Sequence, residues 1–171
     1  MKKTINIFLA SSITEFKHER NEIGDLIRRL QDVLIDRDIY LKLTVCEYID
    51  NNISILGRKQ EDYNQRIKTC DIFFMLVGEK LGGYTKEEYI TAKQSNREIH
   101  IAFYQKSETP SVIEFKKEIS TVLDIHTYQS TNNKELKYTL GKIITHHLQN
   151  WIPITIDQNN ITIDNHIIEL S

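Results

Sequence analysis

The chain has 171 residues, 40% of them apolar and 27% charged, with a formal net charge of −2. This length and composition suit one domain with its own core. The charge balance argues against nucleic acid as a direct partner, since no basic excess exists to neutralise phosphates, and no run approaches the roughly 20 apolar residues of a membrane span.

In chain order, Ile5 to Ala10 is a continuous β-branched and apolar run that predicts a buried central strand. A helix is predicted from about Glu15 to Asp36, because Phe16, Ile23, Leu26, Ile27, Leu30, Val33 and Leu34 draw one apolar stripe. Thr14 or Ser12 suits its N-cap. Tyr40 to Tyr48 predicts the second strand, Asp50 to Gly57 a polar loop, and residues 59–69 a short helix packing through Tyr63 and Ile67. Ile72 to Val77 is the most apolar run and predicts the third strand. A glycine-bearing loop, Gly78 to Tyr84, leads to a helix from Lys86 to about Ser95. A strand over Glu98–Tyr104, a helix over Val112–Leu123, a strand over Ile125–Tyr128 and a helix over Lys134–Asn150 complete the series.

Five alternations of strand and helix imply a parallel sheet covered on both faces. Right-handed crossovers favour the strand order 2-1-3-4-5, a flavodoxin-like three-layer α/β fold. Ligands then bind at the carboxyl edge near strands 1 and 3, where Ser11–Thr14, Glu47–Gly57 and Gly78–Thr85 lie. Residues 1–150 read as this domain. After Trp151, Ile152–Ile156 and Ile161–Ile168 alternate around Gln158-Asn159-Asn160, which predicts a β-hairpin over 151–171, either an extension or a link to another domain.

The two cysteines, Cys46 and Cys70, sit in or beside apolar runs and read as buried reduced thiols. The histidines are scattered, and the adjacent pair His146-His147 points about 100° apart on a helix, so no metal site is expected. Met1-Lys2-Lys3 is basic, but the apolar stretch behind it is too short for a secretory signal, and a cytoplasmic location is expected.

The richest segment for chemistry is Gly82 to Ala92. Gly82 and Gly83 allow close backbone approach to a ligand, Tyr84 follows, and Glu87 and Glu88 fall in the first helical turn. Thr85-Lys86-Glu87-Glu88 also fits a capping box, and on residue chemistry alone that structural role for Glu88 outweighs a catalytic one. Ser11 and Ser12 can donate to phosphate or ribose hydroxyls, or cap the helix. Arg20 is either an exposed partner of Glu19 or a ligand group. Arg58-Lys59 opens the second predicted helix, where cations oppose the dipole. Phosphate-loop and dinucleotide glycine signatures and a nucleophile elbow are all missing from the sequence.

Three runs carry a family resemblance: IFLASSITEFKHERNEI (Ile7–Ile23), GRKQEDYNQRIKTCDIFFMLVG (Gly57–Gly78) and YTKEEYITA (Tyr84–Ala92). Together they resemble prokaryotic TIR-like domains of the Toll/interleukin-1 receptor-like NADase superfamily. More narrowly they resemble a subfamily first catalogued as a domain of unknown function and found in bacterial defence and signalling proteins. The resemblance spans roughly residues 5–150 and implies an NAD⁺ glycohydrolase or ADP-ribosyl cyclase. NAD⁺ is then substrate, no cofactor is needed, and self-association through TIR–TIR contacts activates. The glutamate such enzymes require lies four residues after an aromatic, a spacing that Tyr84 and Glu88 match. The resemblance thus reverses the order of readings for Glu88, with Glu87 as the alternative carboxylate. Substrate contacts are then expected from Ser11, Ser12, Gly82, Gly83 and Tyr84, and residue chemistry adds Arg20 and Arg58 as candidates. The chain departs from many such enzymes in having Tyr84 in place of the more frequent tryptophan. A nucleoside 2-deoxyribosyltransferase-like enzyme and a non-catalytic TIR adaptor are the competing readings.

Overall fold

Strand-forming runs that are apolar on every residue can be satisfied only between two covering layers, and the structure realises this. It is a computed structural model describing residues 1–12, 14–45, 53–104 and 109–171, with the side chains of 53–59 outside the description. Strands β1 (Lys3–Ala10), β2 (Ile39–Val45), β3 (Ile72–Val77), β4 (Ile99–Tyr104) and β5 (Ile125–Ser130) form one parallel sheet in the order β2-β1-β3-β4-β5. The expected order is the observed one.

The period of two divides the core in halves. Ile5, Ile7, Leu9, Ile72, Phe74 and Leu76 join one apolar cluster with α1 (Lys17–Leu34) and α5 (Asn133–Leu148). Phe8, Ala10, Phe73, Met75 and Val77 join the other, with Ile67 of α2 (Ile53–Lys68), Tyr89 and Ala92 of α3 (Gly83–Gln94), and Val112 and Phe115 of α4 (Pro110–Ile119). Cys70 lies in this second cluster, 3% exposed, and burial pushes its thiol up to about 12. Cys46 falls outside the described residues.

Several predicted boundaries move. The first helix begins at Lys17, because Phe16 is buried edge-on to Tyr104 at 5.9 Å and a turn precedes it. Ser12 Oγ accepts from Glu15 N at 3.3 Å within that turn and does not cap the helix. A 3₁₀ turn over Ile35–Arg37 follows, closed by Asp38 in the left-handed conformation at φ 58°. Residues 53–57 are helical, so the predicted loop is shorter than expected and Arg58 lies in the second turn of α2. Gly57 is tolerated inside the helix at a cost of about 1 kcal/mol. Helix α4 starts at Pro110, favourable at a helix start, and stops at Ile119, where Ser120 and Thr121 hydroxyls bond back to the carbonyls of Lys117 and Glu118.

The predicted C-terminal hairpin is a three-stranded meander, β6 (Ile154–Ile156), β7 (Asn160–Ile163) and β8 (His166–Glu169). The expected second strand breaks at Asp164, whose φ of 52° turns the chain. Its inner face, Ile154, Ile161, Ile163, Ile168 and Leu170, joins the α1–α5 cluster. Arg29 donates to the Glu169 carbonyl at 2.6 Å, and Arg37 pairs with Asp164. Gly141 of α5 is needed where the meander presses closest: a Cβ there would lie 2.9 Å from Ile156 Cδ1.

One ion pair crosses the α1–α5 seam. Lys137, with 5% of its side chain exposed, donates to Glu22 Oε2 at 2.8 Å. That hydrogen bond holds the Glu22 carboxyl below its ordinary value of 4.5. A lowered folded value contributes stability above the unfolded value and loses it as pH falls through the folded one. Glu22→Ala, which strands a buried ammonium, is expected to cost about 2 kcal/mol near neutrality, discounted for the partial exposure of Glu22. The cost shrinks below about pH 4.5 as the wild-type carboxylate protonates. Urea melts of both proteins at neutral and acid pH check this.

Candidate functional site

The carboxyl ends of β1 and β3 are neighbours, with Ala10 in register with Met75. The loops that follow are laced together. Glu15 Oε1 accepts from Glu79 N at 2.9 Å, and Thr109 Oγ1 donates to Glu79 O at 2.7 Å. Gly78 makes this possible, since a Cβ there would overlap the Glu15 carboxylate and come within 2.8 Å of Phe16 Cζ. Glu15 and Thr109 were not foreseen as site-shaping residues. Glu15 reads in the sequence as one more polar helix position, and Thr109 precedes a helix whose start was placed two residues late.

Helix α3 opens over this edge and packs against α2, β1 and β3. Its N-cap is Gly82, with no side-chain cap bond, and Lys86 N donates to Gly82 O at 3.0 Å. The predicted capping box is therefore overturned. The helix starts at Gly83, which places Thr85 at the third helical position and Glu88 in the second turn, beyond reach of the free N–H groups. The same device does occur at α5, where Asn132 Oδ1 accepts from Glu135 N and Glu135 Oε2 accepts from Thr131 N.

With the cap role removed, the helical period decides which carboxylate faces inward. Glu88 shares the buried face with Thr85, Tyr89 and Ala92 and is 1% exposed, whereas Glu87 faces solvent. Lys86 pairs with Glu118 and lies 4.6 Å over the Phe115 ring, which ties the start of α3 to α4.

The other predicted residues are distributed as follows. Ser11 is 5% exposed and its Oγ has no hydrogen-bond partner among the described residues. An unpaired buried hydroxyl at a strand's carboxyl end is an open polar group of the kind a ligand satisfies. Ser12 Oγ is engaged with Glu15 N. Arg20 is half-buried in the first turns of α1. Gly82, Gly83 and Tyr84 are exposed at the mouth of α3, Tyr84 at 56%. Arg58 is placed on α2, with its side chain outside the description. The fold thus brings Ser11, Ser12, the Gly82–Tyr84 segment and Glu88 to one edge. The segments 46–52 and 105–108 lie outside the described residues.

Among the described residues no three His, Cys, Asp or Glu side chains are placed to hold a metal ion. No helix in them is long and apolar enough to cross a membrane.

Fold and edge together define a flavodoxin-type α/β domain with a buried acid on the helix after its third strand. The chain belongs to the family described as a domain of unknown function, DUF4062, whose model matches residues 6–152. No curated protein matches it.

Proposed function

We propose that this domain is an NAD⁺ glycohydrolase that releases nicotinamide, with Glu88 as its acidic group. The observation that carries the reading is the position of Glu88: buried, at 1% exposure, on the helix that opens at the carboxyl edge. A buried carboxylate at a ligand-binding edge is a candidate for chemistry. Nicotinamide leaves NAD⁺ as a neutral base, taking the electron pair of the C1′–N bond, so departure needs little acid help. Positive charge develops on the ribose as in glycoside cleavage, and a carboxylate beside it stabilises that charge. Water then adds its oxygen to C1′ and releases a proton, giving ADP-ribose; attack by the adenine ring instead gives a cyclic isomer.

Burial of Glu88 adds a condition. A dinucleotide reaches it only when the side chains around it part, so the structure corresponds to a closed resting form in this reading. Self-association supplies the opening, in keeping with a defence or signalling role. The test is nicotinamide release from NAD⁺ across a range of protein concentrations. The rate per molecule is expected to rise with concentration. A folded, concentrated and associated preparation that leaves NAD⁺ intact would sink the proposal. Base exchange on a deoxynucleoside under the same conditions would place the chain with the deoxyribosyltransferases instead.

A further inference from the structure

At the opposite end of the sheet, four of the chain's six histidines line one cavity of about 290 Å³ between the start of β4 and β5 and the last turns of α5. Every titratable or charged group facing it can be named: Glu98 and His100 before and on β4, His126 and Tyr128 on β5, and Lys142, His146 and His147 on α5. The parallel register sets His100 beside His126, with their rings stacked at 4.8 Å and 17°.

The floor is a closed hydrogen-bond chain. Glu98 Oε2 accepts from His100 Nε2 at 3.1 Å and from His147 Nε2 at 2.9 Å, which puts a proton on both nitrogens. His100 Nδ1 then accepts from the Tyr128 hydroxyl at 2.9 Å. Burial by itself would raise the Glu98 carboxyl, but the two histidine bonds outweigh it and hold it below the usual carboxylate value. Burial holds His100 below the ordinary histidine value. Among the described residues the one acid lining the cavity is thus occupied by the floor.

The rim is different. His126, His146 and Lys142 are exposed, and among the described residues none of the three pairs with an acid. Lys142 instead lies 4.5 Å from the Tyr138 ring centroid. The last carbonyls of α5 are already used by the N–H groups of Gln149, Trp151 and Ile152, so the negative helix end is partly satisfied.

We propose that this cavity is a second ligand site, taking a small oxyanion or its organic monoester, with Lys142, His126 and His146 as the anion-binding rim. The volume is near the lower bound for organic ligands, and it leaves room for a sugar beside the charged group. The site is separate from the Glu88 edge and needs nothing from NAD⁺ cleavage.

The probes are sulfate and ribose 5-phosphate. Calorimetry on the whole chain is expected to show sulfate binding with a dissociation constant of about 1 mM or tighter. Only the His126 and His146 imidazole signals should shift, with His18 and His166 as internal controls. The variants His126→Gln/His146→Gln and Lys142→Met should each weaken binding about tenfold; circular dichroism verifies that each is folded. Tighter binding of ribose 5-phosphate than of sulfate identifies a monoester, and equal binding identifies the bare oxyanion. No binding of either probe at about 10 mM, well above a physiological anion's working range, overturns the proposal. So does binding that the folded double variant retains unchanged.

Discussion

Glu88→Gln is expected to lower the rate of nicotinamide release by at least about 100-fold, the usual cost of losing one preorganised electrostatic group in a closed site. The replacement keeps the shape and removes only the charge that would face the developing cation. Glu87→Gln is the paired control, because Glu87 points to solvent from the same turn, and its rate should stay within about twofold of the parent, a difference of under 0.5 kcal/mol. Product release is followed by chromatography, and the folded state by circular dichroism. Full activity in a folded Glu88→Gln protein ends the assignment, whatever other enzyme activity the chain has. Were Glu88 only a packing residue, the Gln variant would lose stability and rate together.

Ile161→Ala is expected to destabilise the whole domain by about 3 kcal/mol, as for other buried isoleucines truncated to alanine. Ile161 is 0% exposed, and its Cδ1 lies 3.1 Å from where a Cβ on Gly141 would sit. It is therefore packed into the same cluster as Phe74 and Leu76 of the central strand. For a chain of this size the melting temperature should fall by roughly 10 °C, in one transition. A separate early transition, with the remainder melting at the parent temperature, would mean that residues 151–171 fold as an independent appendage.

Strands buried on both faces are the clearest feature a sequence can carry, and Ile72–Val77 was bounded to the residue. The order of the sheet followed from strand–helix alternation and crossover handedness alone. Helix starts were harder, because local composition does not mark them. Phe16 delays α1 by seating itself against Tyr104. Helix α3 starts on Gly82, where no side chain advertises a cap, while Thr85 offered a false one. Ser54 and Gly57 suggest a turn, yet residues 53–57 belong to α2. The meander's extra turn rests on a left-handed Asp164, a conformation Asp adopts but does not signal by itself. Glu88 was legible as a residue of interest but its burial was not, since burial depends on where the helix begins. The histidine cavity was the least legible. His100 and His126 are 26 positions apart in the chain, and only parallel pairing of β4 with β5 makes them neighbours.

The Cys70 thiol offers a gauge that needs no substrate. Thiolate is the form that reacts with alkylating and disulfide reagents, and a group held near 12 at 3% exposure is silent while the domain is shut. It shares its cluster with Tyr89 and Ala92, the residues that flank Glu88 on the inward side of α3. In a Cys46→Ser background its labelling rate measures how often this layer breathes.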